Sequence, residues 1–501
     1  MNVDNLLVAL TSPDIDPLRV TNTYAVPFVV KRGVAEVLEI KASTRQNFAL
    51  PQPNPYLPAK MFVKSGSLLN GDQQIKSVPE LLIEKNRTKI WYQQDYRFNR
   101  PQSAISLHVI VPPEKMTAER SALNYLFARV IRDQLNHATY YANLAGLEFD
   151  ISPHSRGVDI SVFGFSNRQS LFLNEVIATL ARPNLTENQF KRIKAELIRY
   201  WRNEEKSLPY QVMINQLPSI FINPQWSSDE LMLALDTVSY DQFTQFAKQF
   251  LWDAEIEGLI YGNYLPQEAI KLSAIIEHGL QSRQTGRKIA DSVLHIMPDN
   301  QTSPWLFYRP LPHPDKIVAL YIQAPSSTDA DTARMQLISL ILQPEFFHQL
   351  RTEKQMGYVV AAVPFPMQQV EGSLFLVQSP NFSEQDIQQA IDNFIGDKTP
   401  SFEKTFATQK DSLIQKLKES PRSIREQNAR YWQSILLEDY KFDRRQRLVT
   451  ILNHLSVEEL QLYYQNVFQN KNRRLWMSSA DLAADQRFYL LQDKSAFKQS
   501  E

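Results

Sequence analysis

A chain of 501 residues is long enough for two or more domains with separate cores, and 43% hydrophobic with 22% charged residues is an ordinary globular composition. Lys plus Arg and Asp plus Glu each number 54, so the formal net charge is zero and no basic excess points to nucleic acid or anionic lipid. The absence of cysteine excludes disulfides, thiol catalysis and Cys-ligated zinc. No apolar run approaches the roughly 18 residues of a spanning helix. The first ten residues lack the basic n-region of a secretory leader and carry Asp4. Neither G-x-G-x-x-G nor G-x-x-x-x-G-K-[ST] occurs, which disfavours folds that cradle phosphate.

In chain order, Leu6-Leu-Val-Ala-Leu10 reads as a buried strand, and a Pro- and Asn-punctuated connector runs to about Met61, including Leu50-Pro-Gln-Pro-Asn-Pro-Tyr-Leu-Pro58. From Lys89 the chain repeats itself. A strand ending in Val109-Ile-Val-Pro-Pro113 is matched by Tyr321-Ile-Gln-Ala-Pro325, with Pro112 and Pro325 213 positions apart. Long helices follow, Ala118 to about Ala145 and Ala330 to Met356, ending at Gly146 and Gly357, 211 positions apart. Returning strands, Val158–Phe163 and Ser373–Val377, come next. Capping-box patterns at Ser239/Gln242 and Ser456/Glu459 are offset by 217. A nearly constant offset over so many elements argues for tandem duplication of one α/β unit. Strands such as His108-Val-Ile-Val111 and Val158-Asp-Ile-Ser-Val162 alternate, which suits a sheet with helices on one face and a wetter opposite face. The fold expected is α+β, two tandem homologous two-layer domains divided near Gln281–Arg287.

The stretch from Pro344 to Tyr358 reads as a short helix, opened by Pro344 and closed by Gly357 in the left-handed conformation. Phe346, Phe347, Leu350 and Lys354 fall at helical spacing on one side, and Arg351 and Tyr358 sit at the exit. The exit presents both to a ligand, or Arg351 answers the helix dipole while Tyr358 packs. His348, one turn before Arg351, orients a ligand or serves structure.

The run Leu350-Arg-Thr-Glu-Lys-Gln-Met-Gly-Tyr-Val359 resembles the LRT-x-x-Q-x-GY signature in the C-terminal half of the pitrilysin and insulin-degrading-enzyme (insulinase) family of zinc metallopeptidases. Ile90–Phe98, Leu144–Asp150, Tyr431-Trp432 with Tyr440–Asp443, and the connector resemble shorter family motifs in the family's order. The resemblance spans essentially the whole chain and implies four segments: 1–20 as the closing strand of a preceding domain, 21–61 as connector, 62–286 as the middle insulinase-like domain and 287–501 as the C-terminal one.

The family's inverted zinc motif, H-x-x-E-H, is absent. The nearest approach is Glu277-His278, with Ala274 in place of the first His. No G-x-S-x-G elbow appears, and Glu204-Glu205 reads as a solvated helix end. The resemblance therefore implies a non-zinc C-terminal half of a pitrilysin-like metalloendopeptidase. It would form one wall of the peptide chamber, with Arg351 and Tyr358 as substrate and oxyanion contacts and with no metal or cofactor in this chain. Zinc, and the edge strand and exosite that anchor substrates, belong to an N-terminal half, in the same polypeptide or a separate subunit. The chain alone is not expected to be active. The alternative is a catalytically inactive paralogue acting as a peptide-binding or regulatory subunit. Expected partners are that half and small unfolded peptides, not nucleic acid or membrane. The compartment implied is the periplasm of a Gram-negative bacterium, with cytoplasm as the alternative.

Overall fold

The computed structural model describes residues 9, 11–12, 14, 16–30, 52–64, 78–85, 87–252, 254–280, 292–297, 303–396, 398–482 and 488–499. Two compact units result, Met1–Asn54 and Pro55–Glu501. Within the first, Arg19–Val20 pairs antiparallel with Pro27–Phe28, and Ala25 takes φ +51° in the turn between them. The strand expected at Leu6–Leu10 falls, but for Ala9, outside the described residues, as does the expected domain boundary between 286 and 287.

The second unit contains two six-stranded sheets. Strands β1 (Glu80–Lys85), β2 (Thr88–Gln94), β3 (Gln102–Ile110), β4 (Leu147–His154), β5 (Gly157–Phe165) and β6 (Glu255–Gly262) form the first, in the order β1-β2-β6-β3-β5-β4. Strands β7 (Trp305–Tyr308), β8 (Lys316–Gln323), β9 (Val359–Pro364), β10 (Gly372–Ser379), β11 (Arg474–Ser478) and β12 (Tyr489–Leu490) form the second, in the order β9-β10-β8-β11-β7-β12. The run β4-β5-β3-β6-β2 recurs as β9-β10-β8-β11-β7, with the same single parallel pairing, β2 on β6 and β7 on β11. Only the outer strand differs: β1 is antiparallel to β2, whereas β12 is parallel to β7. That is the repeat read from the sequence, recovered as topology.

Alternation along the strands decides which residues meet the helices. In the first domain Ile105, Leu107 and Val109 of β3 and Val158, Ile160 and Val162 of β5 join one core with Leu126, Phe127 and Val130 of the helix Ala118–Gln134. In the second, Leu320, Phe375, Val377 and Trp476 pack against Ile338, Leu342 and Phe346 of the helix Asp329–Phe347. Both expected capping boxes, at Ser239 and Ser456, are formed.

Three expectations are corrected. The first long helix is two, Ala118–Gln134 and Asn136–Leu144, broken at Leu135. Pro344 lies inside the helix Asp329–Phe347 instead of opening one. Its missing N–H removes one rung, and the helix then continues as a π-helical segment, His348–Glu353. The third concerns the sheet faces turned away from the helices, which are not simply wet, because each domain lends the other a helical cover. The first domain's Met213, Leu217, Ile220 and Phe221 seal the second sheet's open face, against Ile317, Tyr321, Leu374, Leu376 and Met477. Reciprocally, Ile424 and Ile435 of the helix Ile424–Leu436 reach Trp91, Leu259 and Tyr261 on the first sheet. The family-like motifs Ile90–Phe98 and Tyr440–Asp443 meet at this joint, where Trp91 stacks on Tyr440 at 4.8 Å and both donate to Glu257, at 3.0 and 3.2 Å.

Candidate functional site

The π-helical exit places Arg351 and Tyr358. Leu350 and Phe346 are fully buried and anchor the segment, while Phe347 is 50% exposed and Lys354 exposed, so the expected four-residue stripe is only half a core face. The left-handed residue is Gln355, at φ +52°, not Gly357. Gly357 is needed for a different reason: a Cβ there would lie 2.1 Å from the Gln378 carbonyl oxygen, so only glycine lets the chain pass that close to β10. Its own carbonyl accepts a hydrogen bond from the Arg351 guanidinium. Arg351 is thereby tied to the residue preceding Tyr358, and both remain exposed, Tyr358 by 49%.

The Tyr358 hydroxyl donates to Asp315 Oδ2 at 2.5 Å. Gln378 donates to the same carboxylate oxygen at 2.8 Å and also to the Tyr358 oxygen, while its Oε1 accepts from the Tyr210 backbone N–H at 3.2 Å. Gln378 is fully buried and Tyr210 comes from the first domain, so the phenol is held at the rim of the interdomain joint. Burial pushes the Asp315 carboxyl up, but the hydrogen bonds from Tyr358 and Gln378, with His313 nearby, outweigh it and hold the group below the usual carboxylate value. The bond to that carboxylate, then partial burial, raises Tyr358 above the ordinary phenol value, so it remains a neutral donor at physiological pH. Sequence reasoning did not find Asp315, Gln378 or Tyr210; they lie far from the signature and share no spacing with it.

His348 sits away from this network, in an exposed pair with Glu353 at 3.2 Å. Glu277 and His278 lie on the helix Pro266–Leu280, and Glu277 pairs with Lys85 at 3.2 Å. With Ala274 one turn before, these residues do not fit the family's two-His zinc motif. Asp95, in one of the shorter motifs, is structural: it accepts from the Arg97 and Phe98 N–H groups and from the Tyr261 hydroxyl. A second polar cluster, unnoticed in the sequence, gathers His108, His154 and Asp159 on the first sheet. Its only signal was that His108 and Asp159 occupy outward positions of two alternating strands.

Comparison with known proteins sets these features in a lineage. The family model described as the middle or third domain of peptidase M16 matches residues 1–234, and that of the PQQ synthase PqqF-like C-terminal lobe domain 4 matches residues 337–432. The chain belongs to the insulinase family of metallopeptidases. It corresponds to the C-terminal half of such a peptidase. Insulin-degrading enzyme of Bos taurus is 26% identical over 436 residues, covering 85% of this chain and 42% of that enzyme. Pitrilysin has the same fold, with a TM-score of 0.82 at 18% identity over 98% of this chain and 53% of that one. The first half of the periplasmic protease PqqL from Escherichia coli superposes with a TM-score of 0.57 at 12% identity, covering 85% of this chain and 97% of that half. This insulinase-family chain thus spans about half the length of the full-length relatives it matches. No helix among its described residues is long and apolar enough to cross a membrane.

Proposed function

We propose that this chain is the non-zinc half of a pitrilysin-like metalloendopeptidase, forming one wall of a chamber in which small peptides are hydrolysed. The observation that carries the reading is Tyr358. Its ring is half exposed and its hydroxyl is kept neutral and fixed by Asp315 and Gln378, beside an exposed Arg351 tied to the same turn. A neutral phenol and a guanidinium are the groups that stabilise an oxyanion without a metal of their own. The metal chemistry belongs to the other half, because no H-x-x-E-H exists here. This chain's part is to bind the peptide, orient its scissile carbonyl and exclude water.

The partner in this reading is a zinc-bearing N-terminal half, in the same polypeptide or as a separate subunit, and the compartment is the periplasm. The kinship to halves of two-domain proteases supports both. The test is to mix the purified chain with the product of an adjacent reading frame carrying H-x-x-E-H and follow a quenched fluorogenic peptide. Expected is no cleavage by the chain alone and cleavage by the mixture. A chain that captures the peptide but gains no turnover from that partner overturns the half-enzyme reading in favour of an inactive binding subunit.

A further inference from the structure

Three neighbouring strands of the first sheet bring two imidazoles and a carboxylate to one point on the open face. His108 on β3 is directly opposite Asp159 on β5, and His154 at the end of β4 is opposite Gly157, two positions along β5 from Asp159. His108 Nδ1 is 2.6 Å from Asp159 Oδ1, and the two imidazole rings stack at 4.8 Å with 20° between their planes. The ligand-bearing atoms of all three residues lie within 4.8 Å of one another, and no other such group of three occurs among the described residues. Two of the chain's eight His are therefore placed face to face.

A cross-strand His–Asp pair alone needs no third member. His154 is what that reading leaves over. Its Nδ1 accepts from the Arg156 backbone N–H at 3.3 Å, and its Nε2 is buried with no hydrogen-bond partner among the described residues. A buried ring nitrogen left without a partner is costly, and such a group in a native structure points to something that satisfies it. Access exists, since the Asp159 and His108 side chains are 41% and 26% exposed. The helix Ile424–Leu436 does not supply the missing partner. Asn428 bonds Ser106, two positions along β3 from His108, and Arg425 lies over the Phe163 ring, four positions along β5 from Asp159.

We propose that His108, His154 and Asp159 form a binding site for a divalent transition metal of the zinc class, distinct from the family's H-x-x-E-H centre and independent of the peptidase reading. Two His and one Asp are a donor set that zinc accepts, with one position left for water on the exposed side. Tetrahedral donors at about 2.0–2.2 Å from the metal stand roughly 3.3 Å apart. The three candidate ligand atoms, now within 4.8 Å of one another, would draw together to that spacing around the metal. On binding through His154 Nε2, that ring's proton moves to Nδ1 and the long Arg156 contact is released. The Nδ1 proton of His108 moves to its Nε2, and Asp159 binds as carboxylate. The metal then pins the edge hairpin of β4 and β5 to β3. This departs from the metal-free chain expected from the sequence.

The test uses the full chain, stripped with chelator and dialysed, then titrated with Zn²⁺ by calorimetry and with Co²⁺ by visible absorption. Expected are one site per chain, a tetrahedral Co²⁺ spectrum and a rise in melting temperature with Zn²⁺. His154→Ala and Asp159→Asn should each weaken Zn²⁺ binding at least about 100-fold, since losing even an outer-shell partner costs roughly 10–100-fold. His278→Ala should leave binding unchanged. Circular dichroism identifies any variant that fails to fold, in which case the other ligand variant decides. No Zn²⁺ binding by the wild-type chain, or binding undiminished in a folded His154→Ala or Asp159→Asn variant, overturns the site.

Discussion

The open faces of the two sheets begin from one topology and end differently. The second is sealed: all eight residues of β10 and all five of β11 are buried, and Phe221 with its neighbours closes over Tyr321 and Leu374. The first is covered only in part. The equivalent helix Ile424–Leu436 reaches Trp91, Leu259 and Tyr261, and beyond it β3, β4 and β5 carry His108, His154 and Asp159. A duplicated unit thus diverges through what covers its sheet. Where an apolar cover arrives, the face becomes core; where it stops, the strands keep polar side chains free for chemistry.

The largest effect should come from the sealed face. Phe221→Ala removes a fully buried ring from it and should cost about 3–5 kcal/mol, measured by urea denaturation. At the partial cover, Ile435→Ala also removes a fully buried side chain and should cost about 2–5 kcal/mol. A cost there below about 1 kcal/mol would show that this cover contributes little to stability.

Next comes Tyr358, at the rim of the sealed face. In a complex with the zinc-bearing half, Tyr358→Phe should lower turnover by roughly 10²–10³, with a smaller change in KM. The substitution also removes the hydrogen bond to Asp315, so stability must be measured beside turnover. Unchanged turnover returns Tyr358 to a packing role. Arg351→Lys should also impair turnover, because an ammonium does not reproduce the guanidinium fork.

Arg309 joins the domains through Glu205 and Asp229, each at 2.6 Å, with 18% of its side chain exposed. Arg309→Met should cost about 1–3 kcal/mol, between a surface pair and a buried one. A shift below a few tenths would show that this ion pair adds nothing to what the apolar covers and the other interdomain hydrogen bonds supply.

The smallest effect is a pH dependence at the C-terminal helix, Lys494–Gln499. Burial lowers Lys498 to about 8 in the folded chain, below its ordinary 10.5. Between those values the unfolded chain holds the extra proton, so stability rises as pH increases through that window and its contribution is absent below it. Lys498→Met should flatten this rise in melting temperature from pH 8 to 10; an unaltered slope refutes it.

The sequence by itself determined the family and the duplicated order of strands and helices, because these rest on local spacing: alternation, capping boxes and one contiguous signature. It left open whether Arg351 and Tyr358 are presented or packed, and the structure shows both exposed. It misread Pro344, since a proline tolerated inside a helix looks the same as one that opens it until packing is known. It also assigned Gly357 a left-handed turn, when the requirement was room beside the Gln378 carbonyl. Only the tertiary structure decided what holds Tyr358, which sheet face is sealed, and that His108, His154 and Asp159 meet. Each of these depends on side chains from strands or domains tens to hundreds of positions apart, and no local period encodes such a meeting.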